Sequence, residues 1–557
     1  MKPIKLTIVL ALLFVSLVAQ GGGIVTNTNQ SAAWVRMFAR DASRDLDAVY
    51  YNPAGLTALP KGLYFSANNL SLFSTRTIKN NYSALNSSEY TGDVSAPVFP
   101  TFYAIYRTGK IAVSFGFNPV GGGGNATYDK GLPSFELGVA DLKPALAPKG
   151  VTGYSSDVYF KGSSIFYGGQ LGVSYKINDM ISVFAGGRYV YAVNKYQGHL
   201  NNNIIYGDAA KLGAASMPAS TFFNGASAQA GLGAAGVQPL ETGGLGSLTL
   251  AQAQALGYVS AAQKTQIEGG LMSLGVNPTN LTIEQVLGKY KLKSLDYANK
   301  AKLLRNQSAD VTQTGSGFNP IIGANINLME GKLNIGLKYE FMTKISLTND
   351  TKMDITTGYV IDTVRTTSPT RNISYVNVDS VTQFPNKAKT PSDMPALFTI
   401  GASYQLFKNL KVSAGFHYYF DKNANYGRSQ NGVVVENNSV IQTNNFEFAL
   451  GAEYSLTDKI LLSTGYLYTK TGVMVGYNTD LSYSLGSNSF GLGGKVAISP
   501  KVDVELGASY TWYIPSYKYY DHTIPTIPSQ TVQLKEKYYK DVLILAVGIN
   551  IKLSKAE

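Results

Sequence analysis

The sequence predicts an all-β fold, a transmembrane antiparallel β-barrel of about fourteen strands with an N-terminal hatch and a helical extracellular insertion. Three observations predict it. First, a hairpin frame recurs: Gly401–Tyr418, Gly451–Tyr468 and Gly493–Tyr510 are each two alternating strands joined by a tight polar turn. Gly172–Tyr189 fits the same frame, and Gly323–Tyr339 fits with one residue fewer before the turn. Second, the faces of these strands are sharply divided. Val502, Val504, Leu506, Ala508, Tyr510 and Trp512 alternate with Asp503, Glu505, Gly507, Ser509 and Thr511. Leu410, Val412, Ala414, Phe416, Tyr418 and Phe420 alternate in the same way with Lys411, Ser413, Gly415, His417 and Tyr419. A soluble two-sheet sandwich gives no reason for aromatic side chains at one end of nearly every apolar row, whereas the margin of a lipid-facing band does. Third, Lys2 and Lys5 precede the apolar run Leu6–Ala19 and a small-residue stretch Gly21–Gly23, the layout of a secretory signal peptide. That run is too short for a spanning helix.

From the N-terminus, residues 1–20 read as the signal peptide and 21–60 as a hatch, because Ile24–Pro60 lacks strand alternation and has a compact, partly helical pattern. The barrel is expected over 61–557. Its strands are expected near Leu63–Thr75, Phe99–Arg107, Lys110–Asn118, Ser163–Lys176, Ile181–Tyr196, Gly317–Leu328 and Lys332–Leu347. The second half supplies Ala396–Phe407, Leu410–Asp421, Asn445–Leu456, Lys459–Thr471, Asn488–Ser499, Val502–Pro515 and Asp541–Leu553. Short turns fall on the periplasmic side and long connections outside. Two extracellular insertions stand out, at about 119–157 and 199–314. The second carries helical patches at Thr249–Tyr258, Ala261–Leu274, Thr282–Tyr290 and Ser294–Asn306, with Thr282 and Gln285 in capping-box spacing.

Composition sets further bounds. The chain has 57 Gly and 38 Tyr, only 15% charged residues and no Cys, which excludes disulfide frameworks and thiolate metal sites. The formal charge of +12 is spread over turns and loops instead of clustering, so it fits solubilising loops and lipopolysaccharide contact, not nucleic-acid binding. No cofactor or metal is expected. The histidines are His199, His417 and His522, with no metal-spaced pair and no Gly-x-Ser-x-Gly elbow, so an enzyme is not expected either. Gly231, Gly233 and Gly236 match a dinucleotide fingerprint by letter only, since no strand precedes them.

The hatch-like segment ends in Asn52-Pro53-Ala54-Gly55-Leu56, the third strand breaks at Asn118-Pro119, and Asp393-Met394-Pro395-Ala396 leads into a strand. With the strand count, these features give the chain a resemblance to the outer-membrane long-chain fatty-acid transporters of the FadL/TodX type. Two features depart from the family pattern: the ending Ser554-Lys555-Ala556-Glu557, which is not aromatic, and the long Leu200–Thr314 insertion. The resemblance implies uptake of hydrophobic compounds, above all long-chain fatty acids, by external capture, hatch movement and lateral exit through the wall. It also implies a monomer in the Gram-negative outer membrane, with lipid, lipopolysaccharide and the barrel assembly machinery as partners. A diffusive porin or a surface adhesin is the alternative.

The candidate site residues follow from these readings. Asn52, Pro53, Ala54 and Gly55 are expected to lock the hatch to the wall, against a plain Asn-Pro turn. Arg188 and Lys338 fall on inward faces, suited to a ligand carboxylate or to an interior network with Glu340, Glu447, Glu453 and Glu505. Leu132, Phe135 and Leu137, with Leu271, Leu274, Val286 and Leu287, line a capture groove or form a small core of the extracellular cap. At Asn118, Pro119, Gly121 and Gly122 the third strand loses a ladder donor and side-chain packing, so pairing with its neighbour is expected to fail: either a lateral opening or a strand ending at the rim.

Overall fold

The computed structural model describes residues 6–9, 24–365, 373–427, 429–430, 433–434, 437–526 and 529–553. The signal-peptide reading therefore falls mostly outside the described residues; Leu6–Val9 forms a short strand antiparallel to Gly358–Ile361. From residue 62 onward a single sheet closes on itself as a 14-strand antiparallel barrel. Its strands are β1 Gly62–Asn80, β2 Glu89–Thr108, β3 Ile111–Tyr128, β4 Val151–Lys176, β5 Ile181–Gly207, β6 Gln307–Leu328 and β7 Leu333–Glu340. They continue as β8 Leu397–Phe407, β9 Leu410–Tyr419, β10 Phe446–Ser455, β11 Ile460–Lys470, β12 Ser487–Ser499, β13 Val502–Tyr513 and β14 Gln530–Leu553. Each pairs with the next, and β14 returns to β1 from Leu63↔Leu553 to Asn80↔Glu536, so the sheet closes on itself.

The strands sort their residues as the alternation demands. On β13, Leu506, Tyr510 and Trp512 are exposed outward while Asp503, Glu505, Ser509 and Thr511 are buried inward. On β14 the outward row is Leu543, Leu545, Val547, Ile549, Ile551 and Leu553. At strand rise this row runs roughly 35 Å, which barrel tilt reduces to about 25 Å, the height of a hydrocarbon band. No helix among the described residues is long and apolar enough to cross a membrane.

Several strands run further outward than the apolar alternation shows. β3 continues to Tyr128, β4 begins at Val151, β5 reaches Gly207 and β6 begins at Gln307, so the insertions narrow to 129–150 and 208–306. Above the lipid both faces of a strand meet polar surroundings, and the period of two disappears from the composition.

The helices comprise two short hatch turns, α1 Ala32–Arg36 and α2 Ala48–Tyr51, then α3 Pro133–Ala140 and α4 Leu142–Ala145 over the mouth, and the insertion's α5 Ala209–Leu212, α6 Ala219–Leu240, α7 Leu250–Ala255, α8 Ala261–Ser273 and α9 Ile283–Leu303. The Thr282–Gln285 capping box is present, and the two patches expected at Thr282–Tyr290 and Ser294–Asn306 are one continuous helix. α6 has no counterpart in the sequence reading. It contains Gly231, Gly233 and Gly236, poor helix formers that are kept helical by packing on α9: a Cβ at Gly233 would stand 2.3 Å from the Tyr290 ring.

The sorted faces give a direct test. Val547→Arg, in the middle of the lipid-facing row, is expected to destabilise the barrel by about 2–4 kcal/mol, whereas Thr531→Arg above the band on the same strand should be near neutral. Equilibrium unfolding in phospholipid bilayers measures both.

Candidate functional site

Residues 24–58 fill the lumen, and nearly every one of them is buried. Ser31 caps α1 by accepting from the Trp34 N–H at 3.0 Å, and Asn52 ends α2 just before the turn Pro53–Ala58. The wall holds this segment through side chains that donate to its carbonyls. Gln170 Nε2 bonds Val49 O (2.7 Å), Ser174 Oγ bonds Pro53 O (2.6 Å), Ser182 Oγ bonds Ala54 O (2.8 Å) and Arg107 Nε bonds Thr57 O (3.1 Å). Asn52 Nδ2 spans the hatch and the wall, donating to Ser43 O (2.9 Å) and Asn325 Oδ1 (2.7 Å). Gly55 sits so close beneath Asn52 that a Cβ would stand 2.6 Å from Nδ2. The four motif residues are thus brought together at the wall of β4, β5 and β6.

Across the lumen the hatch rests on backbone. A Cβ at Gly336 or Gly415 would stand 2.1 Å from Asp41 atoms, one at Gly491 2.4 Å from Val35 O, and one at Gly507 2.8 Å from Ala32 O. The inward glycines of the hairpin frame are the floor on which the hatch backbone lies.

Charge completes the seat. Arg36 Nη1 bonds Glu453 Oε1 (2.9 Å) and Ser463 Oγ (2.7 Å), with Glu505 at 3.8 Å. Arg40 reaches Asp47 (2.7 Å), Asp45 (2.8 Å) and the same Glu453 (3.4 Å), which Lys411 also pairs. His417 lies between Asp41 (2.7 Å) and Glu447 (2.8 Å), and two carboxylate acceptors require that both ring nitrogens donate. Arg188 and Lys338 converge on Glu340, and Lys338 also donates to Tyr50 O (2.7 Å) while both cations lie over the Tyr50 ring at 4.9 and 4.6 Å. Of the two readings the sequence left for these cations, a ligand carboxylate or an interior network, the structure contains the network, with Glu340 as the shared acid.

The wall is interrupted at one place. β2 and β3 pair from Asp93↔Thr127 to Ser95↔Asn125 and again from Phe102↔Phe117, leaving residues 96–101 and 118–124 without partners on the opposing strand. β3 stays attached to β4 through Pro119↔Tyr167 and Gly122↔Ile165, across two register shifts. Gly122 and Gly124 have φ of +90° and +81°, values that glycine adopts without strain. On the other rim β2 bulges at Pro97–Val98, and Ser71 Oγ caps Pro97 O at 2.8 Å while Asn69 Oδ1 accepts from Phe99 N at 3.1 Å. The free edge of β3 is met from inside. Asn27 N donates to Val120 O (2.8 Å), Gly122 N to Val25 O (3.3 Å) and Gln30 Nε2 to Pro119 O (2.9 Å), so the first hatch residues act as a tongue along the break.

The apolar candidates do not form one groove. Leu132 and Phe135 are fully buried in the upper lumen, Phe135 against Phe160 at 5.7 Å between centroids. Leu137 packs in a separate cluster with Tyr82 and Val139. Leu271, Leu274, Val286 and Leu287 belong to the core of the helical insertion. That insertion also has a surface cavity of about 570 Å³ between α6 and α8, lined by Leu232, Gly236, Ile267 and Leu274 among others. Sequence reasoning missed Gln30, Asn69, Ser71 and Pro97, and also Arg76 and Lys540, whose inward position opposite each other is readable only once β1 and β14 are known to pair.

The fold and site define a transmembrane barrel closed by an internal hatch, with a break in its wall. No protein-family model matches the chain, and no curated protein matches it. Among solved structures it is similar to a FadL homologue of Pseudomonas aeruginosa, at 11% identity, covering 96% of this chain and 100% of that one with a TM-score of 0.52. It also aligns with the toluene transporters TodX of P. putida (13% identity, 92% and 95% covered, TM-score 0.47) and TbuX of Ralstonia pickettii (14%, 91% and 94%, 0.46). At these identities the likeness is one of fold.

Two predictions follow from the seat. Glu453→Gln removes the acid shared by Arg36, Arg40 and Lys411, and breaking a buried cluster costs about 3–5 kcal/mol; single-channel recording is expected to show a nearly silent unmodified barrel and frequent openings in the variant, and identical traces would refute the seat. In the loop between β11 and β12, Asp480 accepts from Ser134 N at the start of α3 (2.7 Å), and burial together with nearby Glu536 pushes its carboxyl up to about 7. A raised carboxyl is held neutral in the folded protein, so its contribution to stability is fully present below about pH 4 and is lost as pH rises to about 7. Hydrogen exchange of residues 129–150 should quicken over that window, and Asp480→Asn should flatten the response.

Proposed function

We propose that the protein is an outer-membrane channel that takes up hydrophobic compounds, long-chain fatty acids foremost, and releases them sideways into the membrane. The observation that carries this reading is the break between β2 and β3, sealed from inside by the hatch tongue at Val25–Asn27. In a lipid-facing wall an unpaired backbone stretch is costly, and a segment that supplies substitute hydrogen bonds from the lumen is one that opens a passage by moving. An alkyl chain gains about 0.8 kcal/mol per methylene on leaving water, so a lateral route that avoids periplasmic water suits such a cargo. Exposed Leu232, Leu256, Tyr258 and Met272 on the insertion, beside the α6–α8 cavity, offer a capture surface. In this reading Asn52, Pro53, Ala54 and Gly55 fix the hatch to the wall, while Asn118, Pro119, Gly121 and Gly122 form the movable side of the exit. A filled lumen does not favour a diffusive porin. No second chain is needed to complete the wall, since the sheet closes within one chain, and the reading takes the barrel as a monomer.

Cysteines at Thr101 and Asn118, the first rung of β2–β3 that fails to form, test the exit. Oxidation is expected to block uptake of a labelled fatty acid into whole cells and reduction to restore it. Undiminished uptake by the oxidised protein would mean that cargo leaves by another path.

A further inference from the structure

Each of the six short turns at the periplasmic end carries one lysine. Lys110 lies between β2 and β3, Lys176 ends β4, and Lys332, Lys408, Lys459 and Lys501 fall in the four turns that follow. Turn geometry does not call for them. Gly109 and Gly331 supply the positive φ of their turns, +48° and +91°. Asn178 Oδ1 accepts from Met180 N (2.9 Å) and Ile181 N (2.8 Å), Thr457 Oγ1 from Lys459 N (3.2 Å) and Ile460 N (3.1 Å), and Ser499 Oγ from Lys501 N (3.2 Å). In the remaining turn Gln405 Nε2 donates to Phe407 O (2.7 Å). Another residue shapes the chain in each turn, and the lysine contributes its charge and its stem.

Lys176 is half-exposed and the other five are exposed. The same turns hold three acids, Asp179, Glu330 and Asp458, of which Asp179 alone is in an ion pair among the described residues, with Lys176 at 2.7 Å. Lys332, Lys408, Lys459 and Lys501 have no carboxylate partner among the described residues. Lys552, at the foot of β14, is different, since Asp503 neutralises it.

The turns also mark where the lipid ends. Each has an exposed apolar side chain within three residues of its lysine: Ile111, Ile177, Met329, Phe407, Leu456 and Ile498. Three residues at strand rise span about 10 Å, so every ammonium stands at the lower boundary of the apolar rows. There a lysine stem lies along apolar surface while its ammonium reaches polar surroundings. One lysine at every second strand junction encircles the barrel, whereas a docked protein would cover one arc of it. Only the leaflet itself surrounds the whole foot. An ammonium beside an anionic headgroup is attracted over a Debye length, and six act together.

We propose that these six lysines form a ring that gathers anionic phospholipids of the periplasmic leaflet around the foot of the barrel. Each ammonium meets a headgroup phosphate, and the apolar side chain beside it enters the acyl layer. The ring acts on the membrane, whatever the cargo.

The test places the full-length barrel in phosphatidylethanolamine bilayers and adds spin-labelled phosphatidylglycerol or phosphatidylethanolamine, reading the motionally restricted fraction of each label. Phosphatidylglycerol is expected to associate about threefold more strongly at low ionic strength, and salt at about 1 M should abolish the preference. K110Q/K176Q/K332Q/K408Q/K459Q/K501Q should show no preference. The half-ring variants K110Q/K176Q/K332Q and K408Q/K459Q/K501Q should each lose part of it, and heat-modifiable migration reports folding. K79Q/K535Q/K537Q, which removes lysines from the extracellular end, should keep the full preference. Equal association of the two lipids with the unmodified barrel would overturn the ring and leave the lysines to a polyanion of the periplasm. An undiminished preference in both half-ring variants, or an equal loss in K79Q/K535Q/K537Q, would overturn it as well.

Discussion

Everything in this molecule answers to one constraint, that a backbone amide or carbonyl facing lipid has no water to turn to. The fourteen strands close on themselves because of it, and β14 meets β1 along its whole length. Where β2 and β3 part, other partners appear: the tongue from Val25 to Asn27 on the lumen side, and Asn69 and Ser71 on the outer side, two polar residues in an otherwise apolar row. The break is therefore an organised feature, with hydrogen bonds supplied on both rims.

The lumen is governed by a second balance. Hatch cations and wall acids neutralise one another where both are buried, and Glu453 serves three cations at once. Such arrays add little net stability compared with apolar packing, yet they are expensive to disrupt by halves, so they fix where the hatch sits. Some buried cations lie outside this balance: Arg107 is met by carbonyls, and Arg76 and Lys540 by aromatic rings.

Most of the wall was legible in the sequence. Period-two alternation placed each of the strands, since an apolar row in lipid and a polar row in the lumen leave an unmistakable trace at every second residue. The outer extensions of β3 to β6 were not legible, because above the lipid both faces are polar. Helix α6 was missed for a related reason: its glycines oppose helix by propensity, and packing against Tyr290 overrides that. At the site, the weakness of β3 showed in Pro119 and the glycines after it, but the sequence did not reveal that β2 was the partner lost, although Pro97 and Pro100 were the corresponding signal on that strand. The contacts between Gln30 and Pro119, 89 residues apart, and between Arg36 and Glu453, 417 apart, depend on tertiary arrangement and leave no local mark. For Arg188 and Lys338 the strand pattern gave the right direction of the side chains and offered Glu340 among four acids, and the fold showed that Glu340 alone of the four meets both.

The glycine floor has a mechanical consequence. It lies on the strands from β7 to β13, where hatch backbone and side chains sit directly on the strand backbone; on β3, Gly121 meets Val25 O in the same way. A plug held that way cannot move as a piston. Its loose part is the tongue, joined to β3 by two backbone hydrogen bonds and one from Gln30. Peeling back those few residues would uncover a slot in the wall while the bulk of the lumen stays corked, so an oily molecule could pass without admitting a column of water and ions. Selectivity against leakage would then be a matter of anchoring one flank of a plug firmly and the other lightly, with no need for a narrow filter.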